Sequence, residues 1–545
     1  MTSSQVTRPR PVRWVVALLV TVAMLVATTG VVVFAQTGSS GGPVFAPAST
    51  VLWAEARLDL PGSQEEELSE LLGHLPGFAD PAALDAKVNE LLDQVVSQAS
   101  NGGASWTGDI DPWSNRQFSI ALLEIPASGS TGQSPPSMVI GLGVKDRAAL
   151  ESRLASFLTQ QPISSEQYAG ATVTTVGDVS YAVTDQYLLV APAADDIKAS
   201  LDVLAGNTPG LADDEAFAAA ASRIPADRLG AFYFALSALR PFIEAQVSGQ
   251  PGTELVLDML DQLPTWVSGY AQASSDHLTL GVDIEAPRSF LVPAMRETDL
   301  ATDFPAGTVF YLELRDLGST LHGALEGLLA QIPEEDKQDL VSLEQLLGSS
   351  LPSFLDPVQD AALGVSFADG AFQGGIAATL SDPAAAQRRL TALVALIRLA
   401  GGQDAPFEVT QGDIAGVPAT TFTFTDDGMT AFGAAVPPSI SVAIADDRMY
   451  LGVGDFVESA LTQDAATSLA ADPRYANAAT TAGVPNIGLT YLDIAAMQAV
   501  FESTGGADAS YTTNVKPWLD ALDYFVLAET ANGQTLSTNA LLFVR

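Results

Sequence analysis

Two stretches decide how this chain folds: VSYAVTDQYLLVAP at residues 179–192 and ISVAIADDRMYLGVG at residues 440–454. Each holds two runs of alternating, β-prone residues around an acidic turn. The turn is Asp185-Gln186 in the first and Asp446-Asp447-Arg448 in the second. A period of two is the pattern of a strand, and Asp tolerates the backbone of a tight turn. Both stretches therefore read as hairpins, and each echoes the other.

The echo extends outward in both directions. TVLWAEAR at 50–57 matches TVFYLELR at 308–315, and Asp111-Pro112 recurs as Asp356-Pro357. VKDRAALESRLASFL at 144–158 matches LSDPAAAQRRLTALV at 380–394. Residues 213–221 resemble 471–479, and the run from Leu260 to Ile284 resembles the run from Leu519 to Val544. Six segments in one order, with an offset near 258 residues at both ends of the repeat, do not arise by chance. Solenoid repeats run roughly 20–50 residues, so this period means tandem domains. The expected division is one unit over 48–287, a charged connector over 288–302 and a second unit over 303–545.

Within a unit, the pattern predicts an opening strand (Val51–Leu58; Val309–Leu314), then helices. Ser63 caps the first, and Asp80-Pro81 opens the next in the manner of an N-cap followed by Pro at N1. A further helix begins at Asp146, or at Ser381-Asp382-Pro383. A three-strand meander follows (Ala171–Val176, Val179–Thr184, Tyr187–Ala191), and a hairpin closes the unit. Strands that come as hairpins give an α+β fold: two tandem duplicated domains, each a largely antiparallel sheet covered by helices, behind an N-terminal transmembrane helix.

That helix is read from charge and length. Arg8, Arg10 and Arg13 precede Trp14–Ala35, 22 residues without a charge. At about 1.5 Å per residue they span about 33 Å, enough for a hydrocarbon core of roughly 30 Å. Flanking arginines stay inside. Residues 1–13 then form a cytoplasmic tail, 14–35 a single membrane pass and 36–47 a Gly/Ser/Pro linker to an extracytoplasmic body. The alternative is a signal peptide cleaved after Ala35, which also places the body outside. Ala23, Ala27 and Gly30 share one helix face, where small residues let a partner helix approach.

Composition narrows the chemistry. With 64 acidic and 24 basic residues, the net charge is −40. Nucleic-acid binding, which needs Lys and Arg against phosphate, is excluded. There is no cysteine, so thiolate chemistry is absent. His74, His277 and His322 lack metal-ligand spacing. Gly38-x-Ser40-x-Gly42 lies in the linker, without the strand and helix that a nucleophile elbow requires. Asp109-x-Asp111 runs into Pro112-Trp113 rather than a calcium loop. No catalytic residue, metal site or cofactor is expected. Trp106 and Trp113 flank a Gly/Asp-rich segment and are candidates for a surface contact. The apolar run Leu390–Leu399 is a candidate wall for a hydrophobic cavity.

The opening strand Thr50–Leu58, Leu-x-x-Leu-Pro-Gly at Leu72–Gly77, Asp111-Pro112 before Phe118–Ile125 and the meander Val173–Ala191 together carry a resemblance. The chain resembles the bacterial family of exported, membrane-anchored proteins catalogued as domain of unknown function 3352. The resemblance implies no catalytic residues. The expected protein is a non-enzymatic binding or structural module of the bacterial envelope. It meets the bilayer through its N-terminal helix and a hydrophobic ligand or envelope protein through its body. The alternatives are a scaffold subunit of a membrane complex and a carboxylate-based hydrolase, which needs two carboxylates converging in a cleft.

Overall fold

A computed structural model describes residues 43–78, 80–99, 104–125, 136–158, 163–247, 253–260, 263–286, 292–330, 332, 337–368, 370–401, 407–424 and 439–545. The expected membrane helix, with Ala23, Ala27 and Gly30, lies outside them. Among the described residues, no helix is long and apolar enough to cross a membrane. The chain divides into two compact units: Met1–Phe290 with Gly533–Ser537, and Leu291–Asn532 with Thr538–Arg545.

The first unit carries strands β1 (Leu52–Arg57), β2 (Ser114–Glu124), β3 (Ser137–Val144), β4 (Ile163–Tyr168), β5 (Ala171–Val176), β6 (Val179–Val183), β7 (Tyr187–Ala191), β8 (Gly230–Phe234), β9 (Val267–Ala273) and β10 (His277–Glu285). Antiparallel pairing sets them in the order β4-β5-β6-β7-β3-β2-β1-β8-β9-β10.

The second unit carries β11 (Thr308–Leu314), β12 (Val358–Ala368), β13 (Ala371–Leu380), β14 (Phe407–Ile414), β15 (Val417–Phe424), β16 (Ser439–Ala445), β17 (Arg448–Val453), β18 (Gly488–Asp493), β19 (Leu522–Asn532) and β20 (Thr535–Val544). Its order is β14-β15-β16-β17-β13-β12-β11-β18-β19-β20, antiparallel from β14 through β19. The fold is α+β, and the two strand orders coincide position by position.

The meander has four strands, not the expected three. β4 (ISSEQY) is exposed along most of its length and β14 (FEVTQGDI) is mostly polar, so neither shows a buried stripe. Both join their neighbours through the same two-residue turn. Ala169-Gly170 has φ of 44° and 82°, and Ala415-Gly416 has 52° and 82°. Two successive positive φ values match the right-handed twist of a hairpin.

Each sheet is packed on both faces. In the first unit, Leu189 joins a cluster with Trp53, Ile197, Leu201 and Phe217. Its neighbour Leu188 turns to Trp113, Val144 and Leu150. In the second unit, Ala377 and Tyr450 face Tyr311, Phe456 and Tyr475, while Ala378 turns to Val358, Ala361 and Leu380. This is strand alternation used twice.

One geometric motif recurs at the centre of both units. Trp53, Phe217 and Tyr233 stack edge-on, with centroids 5.7 and 5.1 Å apart. Tyr311, Tyr475 and Tyr491 do the same at 5.5 and 5.4 Å. Such T-shaped pairs suit the ring quadrupole.

Two boundaries need correction. The stretch read as a linker, 36–47, ends in core residues: Phe45 and Ala46 are fully buried. The stretch read as a connector, 288–302, contributes Leu300 and Ala301 to the second core, and its Arg296 binds Asp360 through Nε at 2.8 Å. Each unit thus begins with a segment that plugs its own sheet. Phe45 fills the space over Gly141, and Phe304 fills the space over Gly364.

Candidate functional site: an apolar cavity in the second unit

The helix Pro383–Gly401 begins where Asp382 Oδ1 accepts the Ala385 amide at 2.8 Å. Ala386, Leu390, Leu393 and Ile397 follow at spacings of four, three and four, which places them on one face. That face does not close onto the sheet. Between them lies a cavity of about 380 Å³, within the usual range of small-molecule sites, roughly 300–1,000 Å³.

Its floor follows from strand register. Phe422 and Phe424 of β15, Ile440 and Val442 of β16, and Met449 and Leu451 of β17 are i, i+2 pairs on one sheet face. Phe422 lies opposite Ile440, and Val442 opposite Leu451. Phe407 of β14 adds a third phenyl ring, 5.9 Å from Phe422 and 6.0 Å from Phe424, edge-on to each. Leu355 and Val358 complete the wall.

Among the described residues, Arg389 is the only charged one in this lining. Its Nη1 donates to the carbonyl oxygens of Ser353 and Phe354 at 2.7 and 2.8 Å. Arg398 Nη2 donates to the Val409 carbonyl at 3.2 Å. The helix sequence PAAAQRRLTALVALIRLAG has three arginines and no acid. Among the described residues, none of Arg388, Arg389 and Arg398 forms an ion pair. In a chain with net charge −40, the cavity helix is locally cationic.

The equivalent place in the first unit, between helix Arg147–Leu158 and strands β4 to β6, holds a cavity of about 470 Å³. Its lining is different. Arg147, Glu151, Thr172 and Thr174 share it with Leu154, Ala155, Ile163, Tyr181 and Val183. Arg147 is neutralised by Glu151 and Asp185, each at 2.8 Å. The polar and apolar cavities sit on the same scaffold.

The buried ionic groups lie elsewhere. Glu55 receives the Arg228 Nε–H at 2.7 Å, and Arg57 pairs with Asp59 at 3.2 Å. In the second unit, Arg315 joins Glu313 at 2.7 Å and donates to Asn486 Oδ1 at 2.8 Å. Burial raises both glutamates above the usual carboxylate range, and their arginines partly offset it. Asp303 is lifted by burial to about 6, with Arg448 and the Tyr450 hydroxyl opposing. None of these carboxylates lines either cavity. Among the described residues, no three His, Asp or Glu side chains gather as a metal site.

Trp106 and Trp113, the candidates for a surface contact, are 2% and 5% exposed. The correction has a local cause. A five-residue π-helix, Trp106–Ile110, turns both rings inward. Trp106 Nε1 then donates to Asn89 Oδ1 at 3.2 Å, and Trp113 Nε1 to the Asp109 carbonyl at 2.6 Å. Of the expected site residues, only the Leu390–Leu399 run reaches a cavity. Phe407, Phe422 and Phe424 escaped notice because their strands carry polar alternates.

These features define a class: an α+β chain of two units, each with ten strands among the described residues, one of them holding an apolar cavity. The chain belongs to the family described as Protein of unknown function (DUF3352), whose profile matches residues 14–544. No curated protein matches the chain. Among solved structures, crystal form I of TP0453 is 8% identical, with a TM-score of 0.25, covering 46% of this chain and 82% of that one. Form III gives 9%, 0.24, 46% and 83%. Form IV gives 11%, 0.22, 44% and 80%.

Proposed function

We propose that this is a membrane-anchored, extracytoplasmic binding protein of the bacterial envelope, without enzymatic activity, whose second unit holds a hydrophobic ligand. The observation that carries the reading is the apolar cavity beneath Pro383–Gly401. A cavity of that size, walled by leucine and phenylalanine, repels water and gains from an apolar guest. Support for the membrane anchor is the uncharged run Trp14–Ala35 behind three arginines. The matching strand orders, the matching Ala-Gly turns and the two edge-on aromatic triads support internal duplication. On this reading one copy kept an apolar cavity and the other a polar one.

Native mass spectrometry of the full chain, followed by solvent extraction, tests the proposal. The expected result is a co-purifying apolar molecule that Leu393→Asp abolishes. A chain that carries nothing under gentle extraction would falsify the reading.

One observation favours the scaffold alternative. Met497, Phe501, Val515 and Trp518 are 45–47% exposed on adjoining segments of the second unit. Clustered exposed apolar residues mark protein contacts. On that reading, substituting Phe501 and Trp518 by serine removes a co-purifying envelope protein and leaves ligand content unchanged.

A further inference from the structure

We infer that the occupant of the second-unit cavity is a single-chain amphiphile with an anionic head, seated with its head at Arg389 and its tail toward Ile397. The inference rests on the hydrophobic-ligand reading and adds polarity and direction to it.

Charge comes first. Among the described residues the lining holds one ionic group, and that group is a cation. Arg389 is tethered by Nη1 alone to two backbone carbonyls. Among the described residues, its Nε and Nη2 make no hydrogen bond and no carboxylate neutralises it. A guanidinium presents its donors in a planar fork suited to carboxylate or phosphate. The tether fixes one corner of the fork and leaves the other edge for a ligand.

Direction comes from the helix. Arg389 to Ile397 is eight residues, about 12 Å of helix. The lining beyond Arg389 is uncharged: Leu390, Leu393, Ile397 and Phe407. An elongated apolar tail fits that path, whereas a compact polar metabolite would leave its hydrogen-bonding groups unmet. The first unit supplies the contrast, because Arg147 is already spent on Glu151 and Asp185. Its cavity should not retain the same molecule.

The head group is an oxyanion, and two sources share that chemistry: a fatty-acid carboxylate and a lysolipid phosphate. The test uses the full-length chain in nanodiscs of zwitterionic lipid, with diazirine-bearing palmitic acid and diazirine-bearing hexadecanol as probes. After irradiation, labelled peptides are mapped. The expected result is that palmitic acid labels peptides from 383–401 and 407–424, at least fivefold above hexadecanol. Arg389→Gln should bring the acid down to the alcohol's level without changing the alcohol's labelling, which also reports that the variant is folded. Arg389→Lys should restore part of the difference. Competition by unlabelled palmitate or by lysophosphatidic acid then tells which head is preferred, and either preference supports the inference. Equal labelling by acid and alcohol, indifferent to Arg389, overturns the anionic head but leaves a hydrophobic ligand standing. Absence of cavity labelling by both probes overturns the hydrophobic-ligand reading as well.

Discussion

The ring of Phe304 occupies the place where Gly364 would carry a side chain: a Cβ built there falls 2.2 Å from Phe304 Cδ1. Phe45 stands over Gly141 in the first unit at the same 2.2 Å, measured to Cε1. Both phenylalanines are essentially buried, and each comes from the segment that precedes its unit's opening strand. A glycine in a strand interior weakens the strand unless something uses the space. Here a plug uses it. Gly364→Ala should therefore displace Phe304 and cost about 1–3 kcal/mol by overpacking, read as a lower denaturant midpoint with an unchanged slope. If Gly364→Ala is neutral while Phe304→Ala is costly, the ring does not depend on the glycine and the relationship is incidental.

Asp303 couples that plug to pH. Burial lifts its carboxyl to about 6 from an ordinary 3.8, and Arg448 Nε, 3.6 Å away, only partly offsets this. Asp299 and Asp447 push in the same direction as burial. The folded state holds the proton more tightly than the unfolded state. The resulting stability is full below about pH 4, declines through the window from 4 to 6 and is gone above it. Two pH units correspond to about 3 kcal/mol at most. Asp303→Asn should flatten the pH dependence across that window and be at least as stable as the parent at pH 7. Arg448 keeps Asp299 as a partner. Parallel stability curves for variant and parent from pH 4 to 7 would remove Asp303 from the account.

How much of this was open to inspection in the sequence depends on burial. Hairpins such as Val179–Ala191 alternate strongly because one residue in two is pressed into a core, so their period survives as text. β4 and β14 lie at the edge of their sheets, where no such pressure shapes ISSEQY or FEVTQGDI, and they went unread. Phe45 was hidden for the opposite reason: one buried ring in a Gly/Ser/Pro-rich stretch leaves no period at all. Trp106 and Trp113 misled because a Gly/Asp-rich neighbourhood reads as surface. Only the π-helical turn, with the Ser105 hydroxyl accepting the Gly108 amide, folds them inward. The cavity helix was legible from its leucines. That its arginines lack carboxylate partners among the described residues was not, because pairing is a fact of three dimensions.

The Glu313–Arg315 pair is buried on both sides, with side-chain exposures of 4% and 3%. Removing one partner of such a pair strands the other, at a cost of about 3–5 kcal/mol. Arg315→Met should do this and also leave Asn486 Oδ1 without its guanidinium donor. Glu313 is already raised by burial, so in the variant it should take up a proton as pH falls, and the loss should shrink at pH 5 relative to pH 8. The double variant Glu313→Gln with Arg315→Met should recover part of the loss. A double-mutant cycle with no coupling would show that the two side chains are neighbours without being partners.

Leu393 sits midway along the cavity helix, between Leu390 and Ile397 on the open face. A larger ring there projects into empty, apolar space rather than into packed atoms, so Leu393→Trp should fill the cavity rather than strain the core. Cavity filling commonly adds about 0.5–2 kcal/mol, and the ligand-free variant should be more stable than the ligand-free parent by a similar amount. The same ring excludes a guest, so the stabilisation that added fatty acid gives the parent should vanish in the variant. The two effects have opposite signs on one residue, which separates them from general damage: a misfolded variant would lose both. If Leu393→Trp is destabilising without ligand, the cavity closes in solution and the site moves elsewhere. If it is stabilising and still responds to fatty acid, the guest binds outside the space beneath Pro383–Gly401.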